Sequence, residues 1–236
     1  MIPKIIHYCW FGGAEKPALA EKCIQSWRKF CPDWEIIEWN EQNFDLDENP
    51  YVRYCFDNKK WAFLSDYVRL AVVCRQGGVY FDTDVELLKP LDNLMEQEAF
   101  FGFENDDNVA TGLGFGAVPN HATVNAMLEQ YLTLRPDAEG KFSLTPCPAL
   151  NTEALIPLGL QRNGRQQTVA GAVILPVDFM NPYDDATGRM KKTKNTLSIH
   201  WYNKSWINPG MKLRSRLTRP FHRLFGKDCF RWLKRK

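Results

Sequence analysis

Gly77-Gly78-Val79-Tyr80-Phe81-Asp82-Thr83-Asp84 decides how the rest of the chain is read. Two glycines release the chain from a helix, a short apolar run follows, and two carboxylates close it. Residues two apart in an extended segment point the same way, so Asp82 and Asp84 converge on one object. In open α/β sheets, ligands bind outside the carboxyl ends of the strands. Two neighbouring carboxylates repel unless a cation lies between them, and a hard divalent cation is the natural partner.

Upstream, Asn58 is read as the N-cap of a helix that reaches Arg75 and stops at Gly77-Gly78. Asp66 and Arg69 fall on that helix at i, i+3 and share a face. They form either a surface ion pair or a pair of ligands, with Asp66 taking sugar hydroxyls and Arg69 taking sugar or phosphate oxygens. Further out, Pro3–Trp10, Trp34–Trp39, Phe100–Phe103 and Ala172–Leu175 read as strands. Leu19, Cys23 and Trp27 recur every fourth residue and place a helix over Pro17–Lys29, and Val124–Leu132 reads as another. Strands alternating with helices predict an α/β layered domain on a largely parallel sheet.

The totals agree with a soluble globular fold. The chain has 236 residues, 44% hydrophobic and 25% charged, which excludes disorder and collagen-like structure. No stretch approaches the roughly 18 uninterrupted apolar residues of a transmembrane helix. The opening Met1–His7 lacks the layout of a secretory signal. Seven cysteines at irregular spacing, without any C-x-x-C, read as buried reduced thiols of a cytosolic protein. The net charge of +2 conceals a division: residues 207–236 hold ten Lys or Arg against one acid. An acidic body therefore carries a basic tail, and the expected units are 1–206 and 207–236.

Three ordered motifs carry a resemblance. Ser65-Asp66-Tyr67-Val68-Arg69 followed by Gly77–Asp84 resembles the sugar-binding motifs of glycosyltransferase family 32. That family includes bacterial capsule and lipopolysaccharide transferases and fungal mannosyltransferases, and the catalytic domains of the large glucosylating toxins are similar. Ile2–Gly13 resembles its opening strand, and His200-Trp201-Tyr202-Asn203-Lys204-Ser205-Trp206 its closing His-x-x-x-x-Ser-Trp segment.

The resemblance implies a GT-A fold and a retaining, metal-dependent enzyme using a nucleotide-sugar, with UDP favoured as the carrier. It implies Asp84 as direct metal ligand and Asp82 as ribose or metal contact, with Asp66 and Arg69 holding the donor sugar. Tyr80 would line the nucleotide pocket, and Trp10 would stack on the base. His200 and Ser205 are candidate further ligands of Mn²⁺ or Mg²⁺, with Asn203 as an alternative. Lys204 and Trp206 are candidate diphosphate and nucleotide contacts. Asn151, within Thr145–Thr152, is placed near the site. The glycine-rich Thr111–Ala117 is either a packed loop or a place where a sugar meets the backbone. Same-face attack, assisted by the leaving phosphate, needs no protein base.

The expected acceptor is a glycan of surface polysaccharide or lipopolysaccharide, lipid-linked at the inner face of a bacterial membrane. Leu213, Leu217, Phe221, Leu224, Phe225 and Trp232 recur at helical spacing between basic residues, with Pro220 starting a second helical piece. This tail suits the surface of an anionic membrane or, alternatively, the acidic body. Nucleic acid suits it less, because the body would repel phosphate. Two rival functions stand: a non-catalytic sugar-binding module, and an aspartate-based phosphohydrolase whose later acidic pair would be Asp184-Asp185. The latter wants Thr or Val where this chain has Glu86.

Overall fold

Burial on both faces turns the short apolar runs of this chain into inner strands, and one-sided burial turns its longer periodic runs into covering helices. The structure is a computed structural model that describes residues 1–203, 209–226 and 229. Its elements, in chain order, are β1 (Ile5–Cys9), α1 (Ala18–Phe30), β2 (Glu35–Trp39), α2 (Pro50–Asp57), α3 (Trp61–Gln76), β3 (Gly78–Tyr80) and β4 (Val85–Leu87). There follow α4 (Asp92–Met95), β5 (Ala99–Gly102), β6 (Phe115–Ala117), α5 (Ala122–Leu132), α6 (Cys147–Leu155), β7 (Gln167–Val169) and β8 (Ala172–Leu175). The last are α7 (Val177–Met180), β9 (Tyr183–Asp184), β10 (Arg189–Met190), β11 (Ser198–His200) and α8 (Pro209–Phe225).

Seven strands form the central sheet in the order β2-β1-β3-β6-β5-β8-β7. Five point the same way, and only β6 and β7 run against them. The predicted largely parallel layered sheet is therefore present, with one reversed strand at its centre. Two apolar cores cover its faces. Val68, Leu70, Phe101, Phe115 and Tyr131 belong to one; Ile6, Trp27, Phe81 and Phe100 belong to the other.

The helix α3 is apolar almost all round, as a helix enclosed by a sheet and by α2 and α5 must be. It ends where expected. Gly77 sits at φ +67°, its N–H returns to Val73 O, and a Cβ there would meet Pro3 and Pro119 at 2.8 Å. Its start differs from the prediction. Asn58 closes the preceding helix α2, its side chain donating to Tyr54 O, and α3 begins at Trp61. The break comes from Lys59, which adopts a left-handed φ of 53°. The α2 signal is Asn49-Pro50: the Asn49 side chain accepts from Tyr51 N at 2.7 Å, and Pro50 starts the first turn.

The helix α1 grips β4 directly. Trp27 is fully buried, stacks on Phe81 and donates Nε1–H to Val85 O at 2.8 Å, while Ser26 Oγ accepts from Leu87 N. The segment carrying Asp82 and Asp84 is thus held before and behind. The thiols of Cys9, Cys23, Cys31, Cys55, Cys74 and Cys147 are buried and unpaired as disulfides. Among the described residues of the tail, Pro209–Phe225 form one helix, α8, that runs through Pro220 instead of restarting there. A proline deletes one i→i−4 bond, which does not by itself end a helix.

Candidate active site

The chain crosses from β3 to β4 through Phe81–Asp84, at the carboxyl edge of the sheet. Strand β4 does not join the large sheet. It pairs antiparallel with β11, which sets His200 opposite Val85. This pairing brings β11 and the residues that follow it beside the two aspartates. His200 Nε2 lies 3.2 Å from Asp84 Oδ1, Asn203 N donates to Asp84 Oδ2 at 2.6 Å, and Trp201 N donates to Asp84 O at 2.9 Å. One donor atom from each of Asp82, Asp84 and His200 falls within 4.8 Å of the others. Two carboxylate oxygens and an imidazole nitrogen suit Mn²⁺, and the carboxylates alone suit Mg²⁺. The buried Nδ1 of His200 has no hydrogen-bond partner among the described residues, so the ring retains a spare donor or acceptor atom.

Burial pushes the Asp84 carboxyl up, but His200 and the backbone bonds outweigh it and hold the group below the usual range. Burial lowers His200, and Asp84 reverses that and raises it. Asp82 is raised by burial, against Arg69. Carboxylates so arranged favour a cation beside them.

Arg69 occupies the centre of the arrangement. Its Nη2 reaches Asp82 Oδ1 at 2.9 Å and Asp66 Oδ1 at 3.0 Å, and its side chain is 4% exposed. Its guanidinium lies 4.9 Å over the Tyr80 ring, and Tyr80 donates its hydroxyl to Asp82 Oδ1. Arg69 and Tyr80 therefore brace Asp82 from within; Tyr80 is 1% exposed and offers no open wall to a nucleotide. Asp66 is pushed up by burial to about 6, with Arg69 opposing.

The floor beneath them comes from distant segments. Arg69 Nη1 points to Thr111 Oγ1 and Cys147 Sγ, and Asn151 Nδ2 donates to Thr111 Oγ1 at 3.0 Å. Asn151 is fully buried. Gly112 presses on Asp82: a Cβ there would lie 2.6 Å from Asp82 Oδ2. The glycine-rich segment is thus a 3₁₀ turn, Thr111–Leu113, followed by β6.

Trp10 sits at the end of β1, beside β3 in the sheet. Its Nε1 donates to Ala14 O, and Lys16 Nζ lies 5.6 Å over its ring, so one face is covered. Lys204, Ser205 and Trp206 lie outside the described residues. Sequence reasoning missed Thr111, Gly112 and Cys147 as supports of the aspartates, because tertiary pairing alone puts them there. Asp184 and Asp185 belong to the β9–β10 hairpin, where Asp184 accepts from Thr187 and Asp185 pairs with Arg219.

Residues 17–101 match the family model described as a glycosyltransferase sugar-binding region containing the DXD motif. Asp66, Arg69, Asp82 and Asp84 fall inside the match. Inositol phosphoceramide mannosyltransferase 1 of Schizosaccharomyces pombe is 27% identical over 138 residues, covering 51% of this chain and 40% of that protein. An uncharacterized glycosyltransferase, L373, of Acanthamoeba polyphaga mimivirus is 27% identical over 147 residues, covering 58% of this chain and 59% of that one. The chain thus spans less than two thirds of the length of either relative.

Two solved structures share the fold. The PaToxG glycosyltransferase superposes with a TM-score of 0.51 at 17% identity, over 66% of this chain and 68% of that one. A glycosyltransferase involved in glycosylating the major capsid of PBCV-1 gives 0.50 at 10% identity, over 91% and 98%. The fold is of the GT-A type, as the motifs implied.

Proposed function

We propose, from the DXD-containing sugar-binding region of the glycosyltransferases that residues 17–101 carry, that this chain transfers a hexose from a nucleotide-sugar to a hydroxyl of a glycan acceptor. The observation that carries the reading is the convergence of Asp82, Asp84 and His200 at the carboxyl edge of the sheet. Nucleoside diphosphate sugars are the ligands such an edge serves with a metal. Mn²⁺ or Mg²⁺ held by these three residues would supply positive charge against the leaving diphosphate.

The chain's own residues do the positioning. Arg69 and Tyr80 fix the Asp82 carboxylate through one oxygen and leave the other outside that contact. Asp66, whose partner is Arg69, supplies an acceptor for donor-sugar hydroxyls. Arg69 turns Nη2 to the two acids, Nη1 to Thr111 and Cys147, and Nε to Ser65 O, so it acts on the sugar through the acids. Trp10 offers its uncovered face to a base, and UDP is the donor carrier we favour. Attack on the same face as departure, with retention, remains the mechanism we assign, since the leaving phosphate can take the acceptor proton.

The unit 1–206 would then be catalytic, with 207–236 its attachment to an anionic membrane at the cytoplasmic face. Supporting this, Leu217, Phe221, Leu224 and Phe225 of α8 are exposed among basic residues. No helix among the described residues is long and apolar enough to cross a membrane. A lipid-linked glycan of surface polysaccharide is the acceptor class that fits such a location.

Thermal stability with UDP, GDP and CMP, each with and without Mn²⁺, tests the reading. A ligand that binds only the folded state raises Tm by mass action. UDP should stabilise the protein with Mn²⁺ and not without it, and Asp84→Ala should remove the shift. A protein that ignores every nucleotide yet binds sugars would instead be a sugar-binding module.

A further inference from the structure

Tyr202 has a backbone conformation that tyrosine rarely adopts. Its φ is 51°, in the left-handed region that favours glycine. A bulky residue keeps such a conformation only where its surroundings over-determine it, and such residues cluster at functional sites. Both neighbours of Tyr202 are pinned. Before it, Trp201 N donates to Asp84 O at 2.9 Å, and Trp201 Nε1 donates to Glu86 Oε2 at 2.8 Å. Lys22 Nζ, from α1, meets the same Glu86 oxygen at 2.8 Å and lies 5.4 Å over the Trp201 ring. After it, Asn203 N donates to Asp84 Oδ2. The turn at Tyr202 therefore lets residues on both sides of it grip Asp84.

The Tyr202 side chain faces a proposed metal donor. Its ring packs on the His200 imidazole, with centroids 4.1 Å apart. Its hydroxyl accepts from Asn181 Nδ2 at 2.7 Å and donates to Glu104 Oε1 at 3.4 Å. The far end of the ring is thus tied to the segments after α7 and after β5. His200 needs such a support. A histidine that ligates a metal ordinarily has its ring fixed by a hydrogen bond from the other nitrogen. Here Nε2 lies 3.2 Å from Asp84 Oδ1, while the buried Nδ1 has no hydrogen-bond partner among the described residues. Packing on Tyr202 holds the imidazole where a hydrogen bond otherwise would.

We propose that Tyr202 is the positioning residue of this site, its ring keeping the His200 imidazole beside Asp84 as a nitrogen donor. Tyr202 acts through His200 and not on metal or substrate. Its hydroxyl bonds hold the ring, and its left-handed backbone sets the turn that brings His200 and Asn203 onto one carboxylate. The proposal rests on the transferase reading, whose metal centre it deepens.

Electron spin echo spectroscopy tests it, on the full chain with isotope-labelled histidine and with Mn²⁺ and UDP present. It reads histidine nitrogen bound to the metal, a signal that a merely structural residue would not control. The wild type should show the histidine signal, and His200→Ala should remove it. Tyr202→Leu, which lacks the ring, should lose the signal and weaken Mn²⁺ binding about tenfold. Tyr202→Phe, which keeps the ring, should restore both. Tyr202→Gly takes the same φ without steric cost, so it tests the ring should the leucine variant fail to fold.

The melting temperature of each variant without metal reports its folding, and the UDP–Mn²⁺ thermal shift reports the donor site. A wild-type histidine signal and Mn²⁺ affinity in folded Tyr202→Leu or Tyr202→Gly overturn the proposal. So does a loss in Tyr202→Phe as complete as in Tyr202→Leu, which would move the role from the ring to the hydroxyl. A wild type that lacks the histidine signal but keeps the UDP–Mn²⁺ shift overturns the proposal and leaves the transferase standing. A wild type that responds to neither Mn²⁺ nor nucleotide overturns both.

Discussion

Arg69 stands 2.9 Å from Asp82 and, through the same nitrogen, 3.0 Å from Asp66, so one buried cation balances two acids on different elements. Breaking a buried ion pair by removing one partner leaves an uncompensated charge, at a cost of about 3–5 kcal/mol. Arg69→Met should lower unfolding stability by that amount in chemical denaturation. Arg69→Lys keeps the charge but loses the planar fork, so it should lose less stability and still weaken UDP–Mn²⁺ binding. An Arg69→Met protein as stable as wild type would show that the acids do not depend on it.

Gly112 is required for a different reason. It lacks a left-handed φ, so backbone strain is not at issue; the space beside Asp82 is. An added Cβ would meet Asp82 Oδ2 at 2.6 Å and Arg69 Nη1 at 3.2 Å. Gly112→Ala should displace the carboxylate and reduce metal-dependent nucleotide binding about tenfold, with overpacking costing roughly 1–3 kcal/mol of stability. Unchanged nucleotide binding in the folded variant would mean that Asp82 has room to move.

His7 makes the fold sensitive to acid. It is fully buried, with Nε2 2.8 Å from Gly77 O, while Trp39 Nε1 donates to Nδ1 at 3.1 Å. That pattern requires the neutral ring with its proton on Nε2. Burial pushes the ring down to about 4 from an ordinary 6.5. The unfolded chain therefore binds a proton first as pH falls. Stability is fully present above about 6.5 and declines by ~1.4 kcal/mol per pH unit down to about 4, where the loss levels off. Urea denaturation between those values should show a shallower decline in His7→Gln. Parallel curves would remove His7 as the cause.

The tail helix gives the prediction on attachment. Leu217 and Leu224 are 64% and 76% exposed on α8. Burying one leucine side chain in an apolar phase is worth about 1.5–3 kcal/mol, so Leu217→Glu with Leu224→Glu should reduce binding to anionic vesicles at least tenfold. Sedimentation with vesicles of phosphatidylglycerol, against neutral lipid, reads this out. Equal sedimentation of the two proteins would leave α8 as a helix packed on the acidic body through Arg219 and Asp185.

Local pattern made much of the fold legible. The fourfold spacing of Leu19, Cys23 and Trp27 lies inside α1, and Ala172–Leu175 is β8 to the residue. Strand β6 was hidden by Gly116 within it and by Gly112 and Gly114 just before it. Gly116 looks like loop chemistry, yet the missing side chain makes room for Phe100, whose Cε1 would lie 2.5 Å from an added Cβ. At the site, Asp66, Arg69, Asp82 and Asp84 were visible because they lie near one another in sequence. Thr111, Cys147 and Asn181 were not, since only long-range packing gives them their neighbours. His200 was suggested by resemblance to a closing segment; its place beside Asp84 depends on the pairing of β11 with β4.

That pairing has a consequence in time. Trp201 reaches Glu86 across 115 residues of chain. At roughly 5–20 residues per second of synthesis, the ribosome delivers His200 about 6–23 seconds after Asp84. Through that interval the nascent protein holds two acids without their third partner. On the proposed reading, a site for a cation and a donor is complete only when β11 docks on β4.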